Sequence, residues 1–130
     1  MKDEGTLLLA SRDEELVSRI RGLNGSLPLG VEAVDRGEEA LARIGDARLL
    51  MLDDDLADLR GRSLIRTIRS ARPDLKIVFT ASDVSQDLEV EVRRSGAYFY
   101  LPKPVSLEIF RKVAAKAVEH ESTRNRWKMR

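Results

Sequence analysis

The sequence predicts an α/β domain in which a parallel sheet of five strands is covered by helices on both faces. Short apolar runs recur along the chain, and residues 49–52 form the strongest of them. Segments with apolar residues at helical spacing separate these runs. Strands that are apolar on both faces, with helices between them, are typical of a doubly wound parallel sheet.

Length and composition fit a single globular domain. The chain has 130 residues, of which 42% are hydrophobic and 35% are charged. No apolar run approaches the length of a membrane span, and the acidic start of the chain lacks the layout of a signal peptide. We therefore expect a cytoplasmic protein with no membrane contact.

Several classes of site are excluded by composition. Cysteine is absent and His120 is the only histidine. Disulfides, thiolate metal sites, cysteine nucleophiles and histidine-based triads are therefore excluded within one chain. The net charge of +1 gives no indication of nucleic-acid binding.

The first half of the chain predicts three strands and two helices. Leu16 and Ile20 lie at helical spacing, and Asn24 with Gly25 provides a helix end. Gly45 closes the second helix. The strands are expected at 6–10, 31–34 and 49–52, and the helices at 15–23 and 37–44.

The second half predicts two strands and three helices. Pro73 stops one helix and Ser106 caps another. Residues 88–92 alternate like a strand, but parallel neighbours need a crossover that is usually helical, which favours a helix ended by Ser95 and Gly96. The strands are expected at 77–80 and 97–101, and the helices at 63–71, 86–94 and 106–119.

The end of the chain becomes polar and basic. We divide the sequence into a domain of residues 1–120 and a basic tail or linker of residues 121–130. A basic run around Trp127 suits nucleic acid or an acidic partner, but a linker to an output domain beyond Arg130, or a simple terminus, is favoured. No helix-turn-helix pattern follows the domain.

Three predicted strands deliver reactive side chains to one edge of the sheet. These are Asp53, Thr80 and Lys103, a carboxylate, a hydroxyl and an ammonium group. A carboxylate can accept a phosphoryl group as an acyl phosphate, and lysine and hydroxyl groups can hold phosphoryl oxygens. The combination indicates a phosphoryl-acceptor site.

The same residues resemble the receiver domain of two-component response regulators over roughly residues 5–120. Residues 52–61 are similar to the family's strand-three motif, in which glycine follows the acceptor aspartate by eight residues. Further matches, in the expected order, are Gly37, Thr80-Ala81, Gly96-Ala97, Tyr100 and Lys103-Pro104. The resemblance implies a flavodoxin-like, chemotaxis-regulator-like sheet of strand order 2-1-3-4-5 with five helices.

The resemblance also implies roles for individual residues. Asp53 would be the phosphoacceptor, with Thr80 and Lys103 as its catalytic partners. Thr80 and Tyr100 would form the switch. A Mg²⁺ ion would be held by Asp53 and by the backbone carbonyl of Asp55. The domain would signal rather than act as an enzyme, and at most it would catalyse phosphorylation of its own aspartate.

Partners follow from the same resemblance. A histidine kinase or a phosphotransfer protein would supply the phosphoryl group. The surface formed by the fourth helix, the fifth strand and the fifth helix would carry dimer and output contacts. That surface would include Glu89, Arg93, Tyr100 and Arg111.

The chain departs from the family at its pair of acidic residues after the first strand. The simplest register places Ser11 and Arg12 there, and a shift of one residue places Ala10 and Ser11 there. The loop proline is replaced by Ala57. Since magnesium offsets the charge repulsion of phosphoryl transfer, we predict weak or absent Mg²⁺ binding and slow or absent phosphorylation of Asp53.

The sequence leaves two arrangements open for Arg12 and for Asp13. Arg12 either forms a salt bridge to Asp53 or points into water. Asp13 either reaches inward as a substitute ligand or lies in the first turn of a helix, where acids suit the dipole. Asp54 and Asp55 are expected to be solvated loop acids.

Three functions therefore remain open. The first is a receiver that works through phosphorylation-controlled or phosphorylation-independent protein contacts. The second is a working phosphoacceptor with reduced metal dependence. The third, a small flavodoxin-like ligand binder unrelated to signalling, is weakened because residues 10–14 are no glycine-rich phosphate loop.

Overall fold

The computed structural model describes residues 5–23, 25–83 and 85–128, with side chains as far as residue 119. Strands and helices alternate along this part of the chain. Short 3₁₀ turns at Ile44–Asp46 and Gly61–Leu64 precede the third strand and the third helix. The elements are β1 (Thr6–Ala10), α1 (Glu14–Arg21), β2 (Gly30–Val34), α2 (Gly37–Arg43), β3 (Ala47–Asp53), α3 (Ile65–Ala71), β4 (Lys76–Ala81), α4 (Gln86–Ser95), β5 (Phe99–Pro102) and α5 (Leu107–Lys128).

The five strands form one parallel sheet in the order β2-β1-β3-β4-β5, which confirms the predicted fold and strand order. Asp53 at the end of β3 lies beside Thr80 of β4 in the register. Thr80 in turn lies beside Leu101 of β5, two residues before Lys103. The topology therefore brings the predicted site residues to one edge of the sheet.

The core has two layers, one on each face of the sheet. On one face, Leu8, Leu50 and Leu52 pack with side chains of α2, α3 and α4. On the other face, Leu7 and Leu9 pack with side chains of α1 and α5. Because both faces are covered, nearly all residues of the inner strands β1, β3 and β4 are buried, which explains their unbroken apolar runs.

The ambiguous segment is a helix, as predicted. Leu88 and Val92 are buried one turn apart, whereas Val90 between them is 48% exposed. Ser85 accepts a hydrogen bond from the Leu88 amide at the start of α4. Gly96 ends the helix with a φ of 123°, a conformation that glycine adopts without strain.

Some predicted ends were wrong. Residue 97 is not in β5, because the Ala97 amide donates to the Val92 carbonyl and closes α4. Helix α1 ends at Arg21, before Gly22, and Asn24 lies outside the described residues. Ser106 caps α5 as predicted, but the helix continues past residue 119 to Lys128, since no glycine or proline follows to end it.

The loop after β3 is held against the strand end by Gly61. The Gly61 amide donates to the Asp54 carbonyl at 3.0 Å. A Cβ atom at position 61 would lie 2.2 Å from the carbonyl oxygen of Asp53. The glycine that follows Asp53 by eight residues is therefore required by close backbone approach.

The same loop is fixed by Asp54, which is only 5% exposed. The prediction of a solvated loop acid was wrong for this residue. Its carboxylate accepts three side-chain hydrogen bonds and one backbone bond from Arg62, and a further bond from Arg60. Asp54 is buried because these partners satisfy its charge.

The ion pair also changes the acidity of Asp54. Burial raises the pKa of its carboxyl group, but the hydrogen bonds from Arg62 and Arg60 and the charge of Arg62 together leave the pKa below its ordinary value. The Asp54 carboxylate therefore stabilises the fold at every pH at which it is ionised.

Within the part of the chain that the structure describes, no helix is long and apolar enough to cross a membrane.

We expect Gly61→Ala to lower the free energy of unfolding by about 1–3 kcal/mol, because the new methyl group meets the Asp53 carbonyl. Gly45→Ala is the matched control, since a Cβ there meets nothing within 4 Å. Urea denaturation of both variants measures the difference. Equal stability of the two variants would contradict the packing argument.

We expect Asp54→Asn to destabilise the protein by about 1–3 kcal/mol at pH 7, because Arg62 loses its charged partner. The folded-state pKa of Asp54 is depressed, so its contribution is present above the unfolded pKa and is lost as pH falls through the folded pKa. The difference in free energy of unfolding between the variant and the wild type should therefore become smaller below about pH 4. Denaturation at pH 7 and pH 3 measures it, with the exposed Asp46→Asn as control.

Candidate functional site

The carboxyl ends of four strands form the candidate site. Ser11 follows β1, Asp53 ends β3, Thr80 lies near the end of β4, and Lys103 follows β5. Asp53 is fully buried at the base of a cavity of about 460 Å³. The structure thus brings together the three residues that the sequence predicted as the chemical centre.

Both carboxylate oxygens of Asp53 are held by donors of the protein. Oδ2 accepts hydrogen bonds from Ser11 Oγ and Lys103 Nζ, each at 2.7 Å. Oδ1 accepts from the backbone amide of Asp55 at 3.0 Å. A buried carboxylate needs such partners to offset its loss of water.

Lys103 bridges two carboxylates. Its ammonium group lies 2.7 Å from Asp53 Oδ2 and 2.8 Å from Asp13 Oδ2. Burial lowers the pKa of Lys103, but its hydrogen bonds to Asp13 and Asp53 outweigh burial and raise the pKa above its ordinary value. Lys103 therefore stays charged at the site.

Asp13 is both a helix cap and a site residue. Its Oδ1 accepts from the Leu16 amide at the N-terminus of α1, while its Oδ2 accepts from Lys103. The hydrogen bond from Lys103 is the main reason why the pKa of Asp13 is lowered. Asp13 thus reaches inward, but it meets an ammonium group and precedes the first helical turn.

Arg12 does not bind Asp53, so that predicted salt bridge was wrong; its side chain is exposed to solvent, as the alternative prediction had it, but it is paired with Asp55. Its Nε lies 2.8 Å from Asp55 Oδ1, and its backbone amide donates to the Asp55 carbonyl at 3.1 Å. The backbone bond places the Arg12 side chain over the loop that follows β3. Asp55 is exposed as expected, but it is paired.

The residues present do not fit a resident magnesium ion. Magnesium requires near-octahedral oxygen ligands. Neither Ser11 nor Arg12, which follow β1, offers a carboxylate, and Asp53 is bound by Ser11 and Lys103. Among residues 5–23, 25–83 and 85–128, no three acidic, histidine or cysteine side chains are grouped for a metal.

Thr80 is fully buried next to Asp53. Its hydroxyl oxygen has no hydrogen-bond partner among the described residues. Buried hydroxyl groups normally find a partner, so this one remains available to a group that enters beside Asp53.

Tyr100 lies in the interior and contributes almost nothing to the outer surface, contrary to its predicted place in a docking face. Its ring stacks on Phe79 with centroids 6.1 Å apart, and its hydroxyl donates to the Asp83 carbonyl. Burial raises the pKa of the Tyr100 hydroxyl. Tyr100 thereby ties β5 to the loop before α4.

Four sets of contacts at the site were not predicted from the sequence: Ser11 with Asp53, Arg12 with Asp55, Asp13 with both Leu16 and Lys103, and Asp54 with Arg62. The spacing of Asp54 and Arg62 around a glycine turn is a local signal for the last of these. Nothing local predicts that Asp13 meets Lys103, which lies 90 residues away.

A family model described as the response regulator receiver domain matches residues 9–115. The regulatory protein LuxO of Vibrio cholerae is 31% identical over 98 residues, which cover 74% of this chain and 22% of the relative. The transcriptional regulatory protein CitT of Bacillus subtilis is 37% identical over 95 residues, which cover 72% and 42%. The chain therefore spans less than half the length of these curated relatives.

Solved structures show the same fold. The signal receiver domain of a putative Luxo repressor protein from Vibrio parahaemolyticus superimposes with a TM-score of 0.85 at 20% identity, covering 93% of this chain and 95% of that chain. A CheY-like receiver domain protein from Methanospirillum hungatei superimposes with a TM-score of 0.76 at 25% identity, covering 92% and 98%. The family model covers most of the chain, and the chain therefore belongs to the response regulator receiver domains of two-component signalling.

Proposed function

We propose that this receiver domain signals through protein contacts without a resident magnesium ion, and that Asp53 accepts phosphoryl groups slowly or not at all. The supporting observation is that both oxygens of Asp53 are already bound by Ser11, Lys103 and the Asp55 amide. Asp53 then acts chiefly as the residue that joins the loops of the site.

Charge supports the same proposal. In phosphoryl transfer, an Asp53 oxygen bonds to phosphorus as the bond to the leaving group breaks and its electron pair departs with that group. Positive charge must offset the negative charges that meet. Here Lys103 is shared with Asp13 and Arg12 is paired with Asp55, so each cation already faces a carboxylate.

A second candidate is a phosphoacceptor with reduced metal dependence. The buried Thr80 hydroxyl without a partner among the described residues favours it, because that group can donate to an incoming phosphoryl oxygen. Lys103 already lies beside Asp53. This candidate requires rapid phosphorylation of Asp53 that depends only weakly on Mg²⁺. The flavodoxin-like ligand binder is not favoured, since the family model matches residues 9–115.

Receiver domains interact with histidine kinases or phosphotransfer proteins, and we propose a partner of this class here. The relatives LuxO and CitT are much longer than their matching regions. By analogy, residues 121–130 would lead from the domain to an output segment.

We also propose that two copies pair through α4, β5 and α5. Val90 on α4 and Ile109 on α5 are 48% and 46% exposed. Glu89 and Arg93 form an ion pair on α4, and the Arg93 guanidinium lies over the Phe99 ring. Exposed apolar side chains beside paired charges suit an interface.

The double variant Ser11→Asp/Arg12→Asp restores the acidic pair and should gain Mg²⁺ binding and Mg²⁺-dependent phosphorylation. An acyl phosphate of low molecular weight serves as donor, and intact-mass spectrometry follows phosphate addition. The wild type should remain mostly unmodified under conditions that label the variant, because its acceptor lacks a fitting metal site.

Ser11→Ala/Arg12→Ala is the matched control, because it removes the same contacts without adding carboxylates. Rapid, complete labelling of wild-type Asp53 that depends on Mg²⁺ would overturn the proposal. Rapid labelling that changes only slightly when Mg²⁺ is removed would instead support the second candidate. Asp53→Asn verifies that the label is on Asp53.

Val90→Glu and Ile109→Glu should each shift the wild-type dimer towards monomer, by about tenfold or more in dissociation constant, since a charge enters an apolar contact. Sedimentation analysis over a range of concentrations measures the shift. Leu59→Glu is the control, because Leu59 is 37% exposed but lies in the loop after β3. A monomeric wild type at every concentration would rule out this interface.

A further inference from the structure

We propose that Asp13 is a positioning residue of this site, which keeps both Lys103 and Ser11 on Asp53 in the absence of a metal. The inference deepens the proposed function and rests on it, because a site without a resident cation needs another way to hold its donors. Neither the acceptor motif nor the acidic-pair positions assign a role to Asp13.

Four hydrogen bonds link Asp13, Ser11, Asp53 and Lys103 into a closed ring. The backbone amide of Asp13 donates to Ser11 Oγ at 2.9 Å, and Ser11 Oγ donates to Asp53 Oδ2 at 2.7 Å. Lys103 Nζ donates to the same Asp53 oxygen at 2.7 Å and to Asp13 Oδ2 at 2.8 Å. Asp13 therefore acts on Asp53 by two separate routes.

The first route sets the direction of the Ser11 hydroxyl. A serine hydroxyl has a single hydrogen to donate. Because Ser11 Oγ accepts the Asp13 amide, its own hydrogen is directed to Asp53 Oδ2. The backbone of Asp13 thus converts an adaptable hydroxyl into a fixed donor.

The second route fixes the Lys103 ammonium group. A lysine side chain has a flexible four-carbon stem, so a hydrogen bond to a single carboxylate leaves the position of the ammonium nitrogen free to vary. Two carboxylates on different elements, at the end of β3 and at the start of α1, define one position for the nitrogen. The Lys103 side chain is only 14% exposed, so competition from water is limited.

Asp13 is itself held rigidly. Its other oxygen caps α1 through the Leu16 amide. Further along the same helix, Arg19 donates to the carbonyl of Val105, in the loop that carries Lys103. Helix α1 and the Lys103 loop are therefore tied at two points, and Asp13 presents its carboxylate from a fixed frame.

Asp13→Asn and Asp13→Ser test the role. Both residues are good helix caps, so α1 should persist, but neither offers a carboxylate to Lys103. We expect the ammonium protons of Lys103 to exchange with water about tenfold faster or more in both variants, because a charge-assisted hydrogen bond is lost. Protection of the Leu16 amide should change by less than about twofold, since the cap is kept.

NMR spectroscopy of the lysine ammonium groups and backbone amides gives both readouts. Glu14→Gln is the matched control, because it removes an exposed acid of the first turn of α1 beside Asp13. Unchanged Lys103 exchange in both Asp13 variants would overturn the proposal. An equally large increase of Lys103 exchange in Glu14→Gln would also overturn the proposal, because the effect would then follow from the loss of any nearby negative charge.

A further variant separates the two carboxylates. In Asp53→Asn, Lys103 should remain protected relative to the double variant Asp53→Asn/Asp13→Asn, because Asp13 still binds it. Equal exchange in these two variants would show that Asp13 does not hold the lysine. These measurements use neither metal nor phosphodonor, so they can fail while the proposed function stands, and rapid Mg²⁺-dependent labelling of Asp53 would leave them unaffected.

Discussion

The arrangement of the site depends on one buried charge, the carboxylate of Asp53. A carboxylate without water is tolerated only when donors surround it, and removal of its partners costs several kcal/mol, about 3–5 in buried pairs. The donors come from the loops after β1, β3 and β5. These loops must therefore adopt compatible conformations around one side chain, which is why the carboxyl edge of the sheet is compact.

The fold follows from the sequence because its rules are local or topological. Strands that are buried on both faces carry apolar runs, which made them recognisable in the sequence. Parallel strands need a helical crossover between them, which predicted helix α4 despite its alternating pattern. The adjacency of Asp53 and Thr80 is a consequence of parallel pairing. The choice of partners among the charges follows no such rule, since Arg12 has both Asp53 and Asp55 nearby and only tertiary geometry selects Asp55.

Side-chain cations set the charge of a site differently from a bound metal ion. The occupancy of a metal site depends on the concentration of the ion, and the ion dissociates when its ligands are protonated. Lys103 and Arg12 are part of the chain, and each is matched by a carboxylate, Asp13 or Asp55. Together with Asp53, these carboxylates outnumber the two cations by one, so Lys103 and Arg12 leave no surplus of positive charge for an incoming phosphoryl group.

The connection between this site and α4 runs through the backbone. The Asp54 amide donates to the Thr80 carbonyl, and the Lys103 amide donates to the Ala81 carbonyl, so β4 is bonded to the segments on both sides. The Tyr100 hydroxyl is bonded to the Asp83 carbonyl, while the Thr80 hydroxyl has no partner among the described residues. The site and the loop before α4 are therefore joined through the backbone of β4 and through Tyr100, without a direct bond between Thr80 and Tyr100.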